Sequence, residues 1–365
     1  MKSVTSRQVY CIIMLSVICL KFLFLPSLVS YSCGNNGYLA MFFALLINSM
    51  VLIIFAYLSK VYPDYNFKEL LQKLFGKIIA NVLLLMYFAL FIISSASLFQ
   101  SIYIFLLENL YEEFSIILFA ISMAIGLFFV CIKSVGVFAK YLEGIFILVV
   151  FSIFLSMLFA ISNVDFSNLL PILDNGVGDL LNINRYAMWF GDYLIMIVLF
   201  GNFKKTKNFY RNLFISVGIV IFVITIFYAM YYCLYGNASI IHKNAIEDMV
   251  DSLPLSSDFG RMSWVIVLMW SFALFAELSL LLYIAVTCFD FVFPSKNKYV
   301  ASSMSVILLI LSIVVFNFNL STLIDFDIYY VRYLSIFLQF VVPIVMLIAS
   351  CFARKKEAKF EIPKT

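Results

Sequence analysis

Histidine is almost missing from this chain: His242 is the only one in 365 residues. The seven cysteines, Cys11, Cys19, Cys33, Cys131, Cys233, Cys288 and Cys351, contain no C-x-x-C pair. Such a set does not build a zinc-type ligand group. The cysteines read instead as small buried apolar residues. Charge is also scarce, at 12% of residues, against about a quarter in soluble domains. No G-x-x-x-x-G-K-[ST] motif occurs and no loop is long enough for a nucleotide-binding domain, which argues against an ATP-driven pump acting by itself. No nucleophile–base pair is visible either. The chain is therefore expected to be no enzyme, with no cofactor, no metal and no nucleic-acid partner.

What is abundant is apolar sequence, 65% of all residues, with a mean hydropathy of +1.08. There is too little polar sequence to cover that much apolar surface in water. Continuous apolar runs fall at about 7–32, 35–59, 79–107, 114–132, 138–162, 184–203, 210–235, 262–291, 299–317 and 329–353. Each is long enough to cross about 30 Å of hydrocarbon as a helix, whereas a barrel would show alternating segments of about 10 residues. The expected fold is thus an all-α integral membrane protein with about ten transmembrane helices in a single domain. The basic residues support this count. With both termini cytoplasmic and the loops alternating, 19 of the 24 fall on the cytoplasmic side and 4 on the other, with Lys21 inside the first run. A missed or additional span would scramble that asymmetry. Residues 1–33 are expected to stay as a span rather than leave as a signal peptide, because Lys21 interrupts the stretch and no A-x-A site follows.

Two segments outside the runs have helical periodicity. Asn66 with Glu69 three residues on resembles a capping box, followed by Phe67, Leu70, Leu71, Leu74, Phe75 and Ile78 on one face. Between runs seven and eight, Ile241, Ala245, Ile246, Met249, Val250 and Leu253 repeat similarly, with Lys243, Glu247 and Asp251 facing away. The second segment reads either as a lid over a cavity or as a helix lying on the membrane interface. Tyr329, Tyr330 and Tyr333 are expected at the outer interface and Tyr62 at the inner one.

Four charges fall inside runs: Lys21, Glu143, Asp192 and Glu277. Each costs about 2.5–3.5 kcal/mol at a helix centre, so they should face the bundle interior, pair or be neutral. Lys21 is expected to pair with Asp192 or Glu277, and Glu143, near the end of its run, to reach the interface. Pro26, in Phe24-Leu25-Pro26-Ser27, interrupts run one, and Phe190-Gly191-Asp192 interrupts run six. Interrupted helices at matching places in two halves point to a midplane site in an inverted-repeat architecture, here about 7–162 and 184–353. The candidate ligand-binding or proton-coupling residues are accordingly Lys21, Phe24, Pro26, Glu143, Phe190, Gly191, Asp192 and Glu277. Ser94, Ser95 and Ser97 either line a polar path or allow close helix packing.

Over residues 5–353 the chain resembles the B subunit of spore germinant receptors, the endospore germination permeases of the amino acid/polyamine/organocation superfamily. The resemblance rests on Ser6-Arg7-Gln8, Phe24-Leu25-Pro26-Ser27, Tyr62-Pro63, Asp165-Phe166-Ser167-Asn168-Leu169-Leu170-Pro171-Ile172-Leu173, Asn175-Gly176 and Phe190-Gly191-Asp192, in that order. It departs in run one, where Lys21 stands at a place expected to be small or apolar and residues 18–27 contain no glycine. The resemblance implies a five-plus-five inverted repeat with helices one and six broken, and a place in the inner membrane of a bacterial spore. It implies a nutrient ligand such as an amino acid, an A-type membrane subunit and a C-type lipoprotein as partners, and acidic site positions at Asp192 and Glu143. The leading expectation is a ligand-binding receptor subunit. The alternatives are a proton-coupled amino acid transporter and a structural membrane scaffold.

Overall fold

A computed structural model describes residues 4–109, 115–173, 176–242, 244–252, 262–294, 298–315 and 320–360. Among them every regular element is helical, and the nearest thing to a sheet is one backbone bridge between Val4 and Phe203. The helices are α1 (Ser6–Ile18), α2 (Leu25–Cys33), α3 (Gly37–Val61), α4 (Phe67–Phe75), α5 (Lys77–Asn109), α6 (Ile116–Cys131) and α7 (Val135–Ala160). A 3-10 segment, Val177–Tyr193, leads into α8 (Leu194–Val198), followed by α9 (Phe209–Tyr235), α10 (Ala245–Asp251), α11 (Met262–Val292) and α12 (Lys298–Val315). The last run is α13 (Leu320–Phe326), α14 (Arg332–Ile336) and α15 (Val342–Phe360), joined by π-helical turns at Asp327–Val331 and Phe337–Val341. The expectations on Lys243, Leu253, Asn175 and several loop charges lie outside the described residues.

Among the described residues six helical stretches are long and apolar enough to cross a membrane: Leu25–Val61, Lys77–Asn109, Val135–Asn163, Phe209–Ile240, Trp264–Val292 and Ile324–Ala353. Four shorter apolar helices, Ser6–Ile18, Ile116–Cys131, Trp189–Val198 and Tyr299–Val315, occupy the remaining runs. Leu25–Val61 is continuous in composition but not in geometry. Gly34 takes φ +57°, the chain makes a 3-10 turn over Gly34–Asn36, and α3 packs back against α2. A left-handed φ of this kind is cheap only for glycine.

α5 and α11 pack along each other at the centre, α1 lies against α7 and α9, and α3 lies against α9 and the 3-10 segment. The outer faces stay apolar: Ile53, Ile147, Phe151, Phe222 and Leu311 are each about half exposed or more. Such faces suit hydrocarbon and would be a liability in water. The chain is therefore an all-helical membrane protein.

The amphipathic segments form as expected, with corrections at their ends. Asn66 Oδ1 accepts from the Glu69 amide at 2.9 Å and Glu69 Oε2 accepts from the Asn66 amide at 2.8 Å, closing the capping box of α4. Phe67, Leu70 and Leu71 are buried, but Ile78 is 81% exposed, because Gly76 at φ +83° ends α4 and Ile78 already belongs to α5. Tyr62 is buried, its ring against Tyr65 and the Lys73 ammonium. Tyr329, Tyr330 and Tyr333 are exposed. Of the cysteines, six are buried and Cys351 is exposed.

The start of the chain is tied to the end of the sixth run. The Val4 amide donates to Asn202 O at 3.1 Å and the Lys204 amide to Val4 O at 2.9 Å. Just before this bridge Gly201 turns at φ +90°, and a Cβ there would lie 2.7 Å from the Tyr65 carbonyl. We expect Gly201→Ala to destabilise the fold by about 1–3 kcal/mol, read as a lower unfolding temperature in detergent. An unchanged temperature would mean the turn is loosely held.

Candidate functional site

The site begins with a break. α1 stops at Ile18, Leu20–Phe22 makes one 3-10 turn, and α2 restarts at Leu25. Pro26 does not cause this interruption by breaking a helix from within, as the sequence suggested. It occupies the first turn of α2, where a missing N–H costs nothing. Phe24 is the residue before that restart, and its carbonyl accepts from Ser27 Oγ at 2.9 Å.

A break in a membrane strands carbonyls that must find donors inside the protein. Here α9 and α10 supply them. Tyr228 Oη donates to Lys21 O at 2.8 Å, and Tyr232 Oη, one turn on, adds a bond to Pro26 O, inside the first turn of α2, at 2.9 Å. The Ala245 amide of α10 donates to Leu23 O at 3.2 Å. Both tyrosines are fully buried. The i, i+3, i+4, i+7 spacing of Tyr228, Tyr231, Tyr232 and Tyr235 was the sequence signal for this face, and it was not singled out.

α10 thus packs onto the break, with one face buried. Ala245, Ile246, Met249 and Val250 are buried, while Ile241 is 78% exposed. Tyr235 Oη donates to Asp248 O at 2.5 Å, His242 Nδ1 lies 3.4 Å from Asp248 Oδ1, and Asn244 Nδ2 donates to Glu108 Oε2 at 3.0 Å. Burial pushes the Glu247 carboxyl up to about 7, with Asp251 and Asp248 adding to the rise. Burial also raises Asp248, against the lowering effect of His242.

The sixth run is broken differently from the expectation. Its non-helical residue is Tyr186, not Gly191, and regular α-helix resumes only at Leu194, two residues after Asp192. Tyr186 is held at the kink by bonds from its hydroxyl to Leu28 O at 2.9 Å and with Ser32 Oγ at 2.8 Å. Gly191 serves close packing: a Cβ there would stand 3.0 Å from Gln339 Nε2.

The two breaks meet in an ion pair. Lys21 Nζ lies 2.5 Å from Asp192 Oδ2, with the lysine side chain wholly buried and Asp192 11% exposed. The Phe190 ring is 5.6 Å from the same ammonium. Lys21 thus pairs with Asp192, one of its two expected partners. Beside the pair is a cavity of about 40 Å³ whose walls include Ser94, Ser97, Trp189, Asp192 and Glu277. That space is large enough for a water molecule but falls below the roughly 300 Å³ of ordinary small-molecule sites. Phe190 faces the other way, into an apolar cleft of about 530 Å³ with Ala44, Leu180 and Phe340. The cleft is larger, but its polar residues are Asn48 and Asn184 and no charged side chain lines it, whereas the small cavity carries Asp192 and Glu277 and is the candidate site.

Of the expected residues, Lys21, Gly191, Asp192 and Glu277 come together here, while Phe24 and Pro26 shape the break without lining the cavity. Glu143 is elsewhere, with its Oε1 2.8 Å from Arg7 Nε. Ser94 and Ser97 face the cavity, whereas Ser95 donates to Phe91 O within α5. One residue was missed. Asp327, placed between runs nine and ten, is 3% exposed, and Ser97 Oγ donates to its Oδ2 at 2.7 Å. Among the described residues no cluster of three or more His, Cys, Asp or Glu side chains is placed to hold a metal ion.

A family model described as spore germination protein matches residues 3–321, which takes in both breaks and stops short of Asp327. No curated protein matches the chain.

Removing one member of a buried ion pair leaves the other charge unpaired, at about 3–5 kcal/mol, whereas removing both can be neutral. Lys21→Met and Asp192→Asn should each lower stability by about that amount, and the double variant should recover most of it. Unfolding in detergent measures this. Additive losses would show that the two groups are not partners in the folded protein.

Proposed function

The chain belongs to the spore germination protein family, and from that membership we propose that it is the membrane subunit of a nutrient germinant receptor. In this reading it binds a small ligand such as an amino acid in the midplane cavity and passes the change to an A-type membrane subunit and a C-type lipoprotein. The setting would be the inner membrane of a bacterial spore, with ten spans, both termini cytoplasmic and two inverted halves at about 7–162 and 184–353.

The observation that carries the reading is the meeting of two interrupted helices at the Lys21–Asp192 pair, beside a polar cavity within an apolar bundle. Asp192 and Glu277 present acceptors suited to an ammonium group, and Lys21 presents the donor suited to a carboxylate. At present these charges satisfy each other. A zwitterionic ligand offers each of them a new partner, so its binding separates the pair and widens the cavity. The closed and open arrangements then differ in ligand affinity, which is the condition for a ligand to drive a conformational change. The breaks are bonded to α9 and α10, so opening the pair moves those elements with it.

The test is binding of labelled amino acids to the purified protein, with uptake into proteoliposomes under an imposed proton gradient measured in parallel. We expect saturable binding of at least one amino acid, a loss of tenfold or more in affinity in Asp192→Asn, and no gradient-driven uptake. Gradient-driven uptake would overturn the receptor reading in favour of a proton-coupled transporter. Absence of binding across the amino acids would remove the ligand class.

A further inference from the structure

Asp327 sits where the last run departs from regular α-helix, at the first residue of the π-helical turn Asp327–Val331. Such turns within α-helices recur at functional positions. Its carboxyl is nearly wholly buried, one oxygen is bonded to Ser97, and the other, Oδ1, has no hydrogen-bond partner among the described residues. The elements packed against the turn carry Asp325 on α13, Arg332 and Tyr333 on α14, and Asp192 and Tyr193 on the 3-10 segment. None of these forms an ion pair with Asp327: Arg332 Nη2 donates to Tyr333 Oη at 2.9 Å, and Asp192 is taken by Lys21. A buried carboxylate with one neutral partner and one bare oxygen is costly, whereas the protonated acid is not.

Ser97 connects this carboxyl to the cavity, because it both bonds Asp327 and forms part of the cavity wall. An oxygen–oxygen contact of 2.7 Å serves either direction of donation. When Asp327 is ionised, Ser97 must donate to it, and only the lone pairs of the serine oxygen remain for the cavity. When Asp327 is protonated, its own O–H donates to Ser97 Oγ, and the serine proton is released toward the cavity. No bond other than the acid O–H is made or broken, and the proton comes from water.

The geometry points to Asp327 as a proton-binding site that sets the hydrogen-bond polarity of Ser97, making the cavity wall an acceptor when Asp327 is ionised and a donor when it is protonated. The protonation site stands on the buried geometry alone. Its consequence for a ligand rests on the proposed function. A ligand that offers Ser97 a donor, such as an ammonium, is favoured by the ionised state, and one that offers an acceptor is favoured by the protonated state.

The test is infrared difference spectroscopy of the purified protein in lipid nanodiscs, titrated from acid to alkaline pH without ligand. We expect a titrating carbonyl band of a protonated carboxyl that is absent in Asp327→Asn. In Ser97→Ala, which keeps the acid but removes its partner, the band should move. No titrating band assignable to Asp327 overturns the proposal, and a band indifferent to Ser97→Ala overturns the coupling to the cavity. Ser97→Ala keeps the question answerable if Asp327→Asn does not fold. With any amino acid that binds the wild-type protein, affinity should change about tenfold across the titration, the worth of one hydrogen bond, and stay flat in Asp327→Asn. A ligand that fails to bind at any pH counts against the receptor reading, while the spectrum still decides the protonation site.

Discussion

A peptide carbonyl that loses its helical partner inside a bilayer has no water to turn to. Interrupting the first run at Cys19–Phe24 therefore requires donors from elsewhere in the protein. The arrangement of α9 and α10 answers this requirement. Tyr228 reaches across to the carbonyl of Lys21 and the first amide of α10 to that of Leu23, while Tyr232 adds a bond to Pro26 at the start of α2. These bonds hold α9 against the break and draw a short helix from the loop after run seven down onto it. This short helix, the break and the tyrosine face of α9 are consequently one unit. A change in the break cannot occur without changing what α9 and α10 touch.

The same region solves a second problem, that of charge. Lys21 and Asp192 each carry a cost that the bilayer does not reduce, and together they cancel it at a 2.5 Å contact. The cancellation also closes the site, since the cavity beside the pair is small. A ligand with both charges competes for the same two groups, which links occupancy of the cavity to separation of the breaks. In Asp327 and Ser97 the cavity has a neighbouring acid that communicates through one hydroxyl.

Much of this was legible in the sequence, and what was not has identifiable causes. Hydropathy located the apolar helices, six of membrane-spanning length and four shorter ones among the described residues, because the hydrocarbon imposes length and composition directly. The Lys21–Asp192 pair was among the expected partnerships, because two charges in apolar runs have few ways to be tolerated. The capping box at Asn66 was legible because it is local. The limits of that local logic show at Ile78, where Gly76 ends the helix one turn earlier than the apolar pattern implied. Pro26 was read as breaking a helix, when in the folded chain it begins one. Proline marks a discontinuity without telling which side of it the residue occupies. Asp327 was passed over because it stands at the edge of an apolar run, and its burial depends on the π-turn and on α5. The role of the α9 tyrosines was not legible, because their partners are backbone carbonyls, which leave no mark in a sequence.

The claim that the break is held by α9 is tested most directly by amide hydrogen exchange on the Tyr228→Phe/Tyr232→Phe double variant. The substitution removes two hydroxyls and leaves the rings in place. The account predicts exchange faster by about tenfold or more over residues 19–30, as expected when about 1–3 kcal/mol is lost at the orphaned Lys21 carbonyl, with protection of α11 unchanged. Exchange over residues 19–30 that stays at the wild-type rate, or that rises equally across the whole chain, would contradict it.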